Sequence, residues 1–137
     1  MNFLDVEVRM ETGGAAWIAY DGRRLADLPC TIDAAKRQAL RETLQAGIRP
    51  NRVKYSETWM QATDLAGEVG TYESIGERGV LTVRLQSQDL TIHTPPDLTF
   101  RKAQRLWIHC PLEHMYFFSK ETGGRLHLDS LDRRLTL

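Results

Sequence analysis

The chain has 137 residues, 42% of them hydrophobic, a size that suits one domain and can bury a core without disulfide or metal staples. Its 18 basic and 18 acidic residues cancel to a formal net charge of +0, so no overall field draws it to nucleic acid or to an acidic membrane surface. The apolar runs are far shorter than the ~20 residues that cross a bilayer, Met1 to Leu4 carries no basic leader, and Cys30 and Cys110 have no CxxC or Cys-x-x-His spacing. The expectation is a soluble cytoplasmic protein with buried, reduced thiols.

Along the chain the dominant period is two. From Asp5 to Met10, polar Asp5, Glu7 and Arg9 alternate with Val6, Val8 and Met10, the pattern of a strand with one face in the core. A Gly13-Gly14 turn and a returning strand from Ala15 to Tyr20 complete a hairpin, and Asp21-Gly22 turns the chain again. The exception is residues 31 to 42, where alanine, lysine, arginine and leucine follow Thr31 or Asp33 as N-cap; this predicts one short helix over an open end of the sheet. Leu44 to Ile48 reads as extended, and Pro50 ends that strand. From Asn51 to Ala66 the signals are mixed.

Further on, Gly67 to Ser74, Val80 to Gln86, Asp89 to His93 after a Ser87-Gln88 turn, Gln104 to Cys110 and Met115 to Ser119 all read as strands. Glu121-Thr122-Gly123-Gly124 gives a last tight turn, and residues 127 to 137 form a charged tail or final strand. Seven or eight short strands predict a mainly β fold, one or two OB-like barrels of antiparallel strands closed or nearly closed to avoid bare edges. Residues 1 to 126 form the domain, which could comprise two interleaved OB-like halves.

The chemistry of the sequence is mostly negative. No Gly-x-x-x-x-Gly-Lys-Ser/Thr, Gly-x-Ser-x-Gly or His-Glu-x-x-His is present, so no ATP hydrolysis and no enzyme activity is expected of this chain. His109, Cys110 and His114 bring metal-binding atoms together around Pro111 at a spacing that fits no common zinc site. Cys110 is expected to end a core strand and the histidines to face solvent. Glu73 and Glu77 flank a turn at Gly76 with no base or nucleophile beside them. Trp17, Tyr20, Tyr72, Trp107, Tyr116, Phe117 and Phe118 are better explained as core or interface area than as base-stacking rings, for no basic groove accompanies them. An internal salt bridge is the simpler role for Arg49, an inter-domain or inter-subunit contact the alternative.

Four segments in order, Met1-Asn2-Phe3-Leu4, Gly47-Ile48-Arg49-Pro50, Glu73-Ser74-Ile75-Gly76, and Phe117-Phe118 with Thr122-Gly123, resemble the C-terminal regulatory region of ATPase subunits from carbohydrate-uptake ABC importers, the TOBE region with its OB-like barrel. The resemblance runs from Met1 to about Leu126. Asn51 departs from it, standing where the family has an acidic residue, and so does the helix predicted over 31 to 42. What it implies is a non-catalytic regulatory and dimerisation domain of an importer for sugar, polyol or glycerol phosphate. Arg49, Pro50, Glu73, Gly76, Phe117, Phe118 and Gly123 would be the interface or regulatory positions. ATP and magnesium would belong to a nucleotide-binding domain upstream, with no cofactor or metal in this chain. The implied partners are that domain, a second copy, the membrane permease subunits and a regulatory protein or small effector, at the inner face of the membrane and without nucleic acid. A free-standing carrier of an oxyanion or sugar is the alternative; it would need backbone amides and Ser, Thr or Lys side chains converging at a subunit junction.

Overall fold

The computed structural model describes residues 1–10, 15–31, 44–120 and 125–126. They form eleven strands: β1 Asn2–Met10, β2 Ala15–Tyr20, β3 Arg23–Thr31, β4 Leu44–Ile48, β5 Lys54–Ser56, β6 Leu65–Ile75, β7 Arg78–Arg84, β8 Asp89–Thr94, β9 Arg105–His109, β10 Met115–Ser119 and β11 Arg125–Leu126. The fold is mainly β, as the alternation predicts. A single 3₁₀ turn at Leu112–His114 is the one helical element among the described residues.

Two antiparallel sheets carry these strands, one in the order β11-β10-β4-β1-β2-β3 and the other β5-β9-β6-β7-β8. Period two sets the facing: in β1, Leu4, Val6 and Val8 are buried while Phe3, Asp5, Glu7 and Arg9 lie outside. Leu81 and Val83 of β7, Leu90 and Ile92 of β8, and Leu106 and Ile108 of β9 meet them from the second sheet in one continuous core. Phe117 of β10 is the largest fully buried side chain.

Turn chemistry fixes the hairpins. Asp21 and Gly22 both have positive φ, 51° and 78°, as a two-residue type I′ turn requires. Gly76, at φ 61°, takes the first central position between the paired Ile75 and Arg78, where a type II′ turn places glycine. Between Val69 and Thr71 the β6–β7 register shifts at Gly70, a bulge that bends the longest strand.

Three strands carried no sequence prediction: β3, which contains Pro29 and a charged start, the three-residue β5, and the two-residue β11. Thr31, expected as a helix cap, is the last residue of β3. The rest of the predicted helix, the Gly13-Gly14 turn, the turn containing Gly123, and the tail from residue 127 lie outside the described residues.

Candidate functional site

The β2–β3 turn and the β7–β8 turn meet at one end of the molecule. Tyr20 and Ser87 join them through their hydroxyls, Oη to Oγ at 3.0 Å, and Leu85 N donates to Gln88 O at 2.8 Å to close the second turn. Burial pushes the Tyr20 phenol above its ordinary pKa, against the opposing effect of the Ser87 hydrogen bond, so it stays a neutral pin.

Beside this pin a cleft of about 270 Å³ opens between the two sheets. Gly67 forms part of its floor, where a Cβ would collide with Val83 Cγ1. Arg23, Arg84 and Arg105 line it, with Gln86, against the carboxylates of Asp21 and Glu68.

The register explains the arginines. Arg105 lies opposite Glu68, Glu68 opposite Arg84, and Arg84 opposite Asp89, an alternating charge row across four strands. The Arg84–Asp89 contact is long, 3.9 Å, and exposed, so it holds Arg84 weakly. Arg23 and Arg105 make no side-chain hydrogen bond or ion pair among the described residues. The cleft therefore offers planar guanidinium forks, which match the paired oxygens of an oxyanion. No histidine, cysteine, serine or lysine lines it among the described residues. Its arginines can grip an oxyanion in place of the serine, threonine or lysine side chains expected of such a carrier.

None of Arg49, Pro50, Glu73, Gly76, Phe117 and Phe118 lines this cleft, and Gly123 lies outside the described residues. Arg49 is exposed, and its guanidinium carbon stands 5.9 Å from the Tyr116 ring centroid. The simpler expectation, a salt bridge, is not met: no carboxylate pairs with Arg49 among the described residues, and the β4–β10 register places an aromatic face near it instead. Pro50 accepts a hydrogen bond on its carbonyl from His93 N at 2.9 Å. Glu73 is exposed two strands from that His93, through Val80, and Gly76 forms the open turn beyond it. Phe117 is core, whereas Phe118 faces outward in an edge contact with Phe3, centroids 5.9 Å apart. Met1, Phe3 and Phe118 all approach Gly47 on that outer face.

His109 also differs from expectation. Its Nδ1 lies 3.5 Å from Asp64 Oδ1 instead of facing solvent, and neither atom has a hydrogen-bond partner among the described residues. It is turned inward because the segment joining β5 to β6 crosses over β9 and seats Asp64 against it. Cys110 is buried as expected, and no three metal-binding side chains gather among the described residues. Trp59, the most exposed aromatic, lies in the stretch of mixed signals and carried no periodic pattern that could have found it.

No family model matches the sequence, and no curated protein does. Among solved structures, a crystal structure of the cytoplasmic molybdate-binding protein ModG, PEG-grown with molybdate bound, superposes with a TM-score of 0.62, covering 85% of this chain and 94% of that one at 15% identity. The likeness is one of fold. This chain has a mainly β, OB-like architecture of two antiparallel sheets.

Proposed function

We propose that this chain is a non-catalytic small-ligand-binding domain and that its ligand is a small oxyanion held in the arginine cleft. The observation that carries this reading is the pair of guanidinium groups of Arg23 and Arg105, unpartnered among the described residues, that line one cleft of about 270 Å³. The fold shared with a molybdate-binding protein supports it. A tetrahedral oxyanion would accept hydrogen bonds from both forks and from the Gln86 amide, with Glu68 opposite both Arg84 and Arg105 in the strand register. Asp21 and Glu68 limit the net positive charge, which favours a compact anion over an extended polyanion.

Isothermal calorimetry with molybdate, sulfate and phosphate tests this. The wild-type chain is expected to bind at least one of them saturably, and the Arg23→Ala, Arg105→Ala double variant about a hundredfold more weakly, two charge-assisted contacts being lost. Binding of none of the three, or binding that the double variant leaves unchanged, overturns the cleft.

The second reading is the regulatory and dimerisation domain of a carbohydrate-type importer ATPase, soluble at the inner face of the membrane. It is supported by the outer face of the first sheet, where Met1, Phe3 and Phe118 surround Gly47 and Arg49 covers Tyr116. That face gathers three of the four segments that resemble the importer family. In such a protein a lasting contact outside the moving ATP site makes each closure intramolecular and raises effective concentration. The size of the native polypeptide decides it: a band near ~40 kDa, the addition of one or two ordinary domains, fits this reading, and a band at 15.7 kDa removes it.

A further inference from the structure

We propose that the segment joining β5 to β6 is a docking surface for an anionic lipid membrane. β5 and β6 both pair antiparallel with β9, on its two sides, so residues 57–64 must cross β9. The crossing is seated by Thr63, which is buried, and by Asp64, whose side chain is 3% exposed. Asp64 Oδ2 accepts hydrogen bonds from Met60 N at 2.9 Å and Gln61 N at 3.1 Å. Gln104 Nε2 donates to Glu57 Oε1 at 3.0 Å and holds the other end. The tip of this tied segment presents Trp59 and Met60, 58% and 68% exposed. Because the backbone is already held, little ordering entropy remains to be lost on docking.

Exposed apolar side chains alone need no partner; here the charge around them adds a second observation. Lys54 lies opposite His109, which Asp64 touches, and Arg52 precedes it by two positions. Arg101 and Lys102 lie in the turn that Gln104 closes, through Gln104 N to Arg101 O at 3.1 Å, and Gln104 in turn holds Glu57. All four cations are exposed, and none is paired with a carboxylate among the described residues. Within a chain of zero net charge, the segments adjoining the apolar tip thus carry four exposed cations against two carboxylates, Glu57 and Asp64, of which the Asp64 side chain is buried.

A membrane fits this combination better than the other polyanions. Tryptophan and methionine both suit the headgroup and acyl boundary, whereas methionine has no ring to stack on a base. Two side chains bury far less than the ~1,000 Å² that a stable protein interface needs, but neighbouring basic residues each add attraction to anionic lipid.

Co-sedimentation with phosphatidylcholine vesicles, with and without about 30% phosphatidylglycerol, tests the proposal. Partitioning onto the anionic vesicles is expected to exceed that onto neutral ones about tenfold or more, and to fall as salt rises. Trp59→Ala should reduce it about fivefold to tenfold. Lys54→Glu with Arg101→Glu should bring it to the neutral-vesicle level, while Ile75→Ser, at an exposed apolar site on the β6–β7 turn, leaves it unchanged. Circular dichroism establishes that each variant is folded, and the salt titration of the wild type stands if the double variant is not. Equal partitioning onto both vesicles, indifference to Trp59→Ala, or binding to a single-stranded oligonucleotide without binding to vesicles overturns the assignment.

Discussion

The side-chain amide of Asn2 takes both backbone hydrogen-bonding groups of Thr91: its Nδ2 donates to Thr91 O at 2.8 Å, and its Oδ1 accepts from Thr91 N at 2.8 Å. Thr91 belongs to β8, the edge strand of the second sheet, and Asn2 begins β1 in the first. The amide does what a neighbouring strand would do, covering part of an open edge. Gln88 repeats the tie in the opposite sense, donating from Nε2 to Phe3 O at 2.8 Å. Two short side chains thereby hold the sheets together at the end where the aromatic outer face begins.

Replacing Asn2 by alanine removes a donor and an acceptor from the edge of β8, and is expected to cost about 1–3 kcal/mol in urea unfolding. Asn2→Asp should cost more at neutral pH, since a carboxylate can accept from Thr91 N but faces Thr91 O with no proton to give. Equal stability of the wild type and both variants would mean that water replaces the clamp without loss.

Asn2 shows where sequence reading succeeds and where it stops. The strands were legible because alternation is a local property: Ala15–Tyr20, Leu44–Ile48 and Met115–Ser119 have the predicted bounds. β3 was hidden by Pro29 and by Arg23-Arg24, which suit a sheet edge as well as a loop. The arginine cleft was hidden for a different reason. Arg84, Glu68 and Arg105 are ordinary outward residues of three separate strands, and only cross-strand register, a non-local property, brings them into a row. The same holds for Asp64 and His109, which meet because the β5–β6 segment crosses β9.

Two backbone substitutions should move stability in opposite directions. At Gly67 an added Cβ meets Val83 Cγ1 inside the core, so Gly67→Ala should cost about 1–3 kcal/mol by overpacking. Ala103 has φ 58°, a left-handed geometry that penalises a Cβ by about 1–2 kcal/mol. Ala103→Gly relieves this at some cost in unfolded-state entropy, leaving a net gain of about 0.5–1 kcal/mol. Chemical denaturation of both variants with unchanged m-value is the measurement.

His93 sets a pH dependence. Burial, and next the nearby Arg78 guanidinium, lower its pKa below the ordinary histidine value of 6.5; Arg78 Nη1 is 3.3 Å from its Nδ1. The folded state therefore binds this proton less readily than the unfolded chain does. The contribution of neutral His93 is complete above about pH 6.5 and is lost as pH falls from there through the lower folded-state value. The melting temperature of the wild type should drop more between pH 7.5 and pH 5 than that of His93→Gln, with both pH values chosen to bracket the ~6.5 of free histidine. Parallel curves would exclude His93 as the sensor.

Cys110 provides a probe of opening. Its burial pushes the thiol pKa up to about 12, and only the thiolate attacks a disulfide reagent. In a Cys30→Ser background, where Cys110 alone reports, the native protein at pH 8 should react with a thiol-specific disulfide about a thousandfold or more slowly than the unfolded chain, whose thiol titrates near ~8.5. Because Cys110 follows β9 directly and is packed in the common core, its reaction requires an opening that exposes that core. The labelling rate should consequently rise in Asn2→Ala in proportion to the lost stability, about tenfold for each 1.4 kcal/mol if opening is global. A rate that Asn2→Ala does not change would place the opening that exposes Cys110 in a local unit that leaves the Asn2–Thr91 clamp closed.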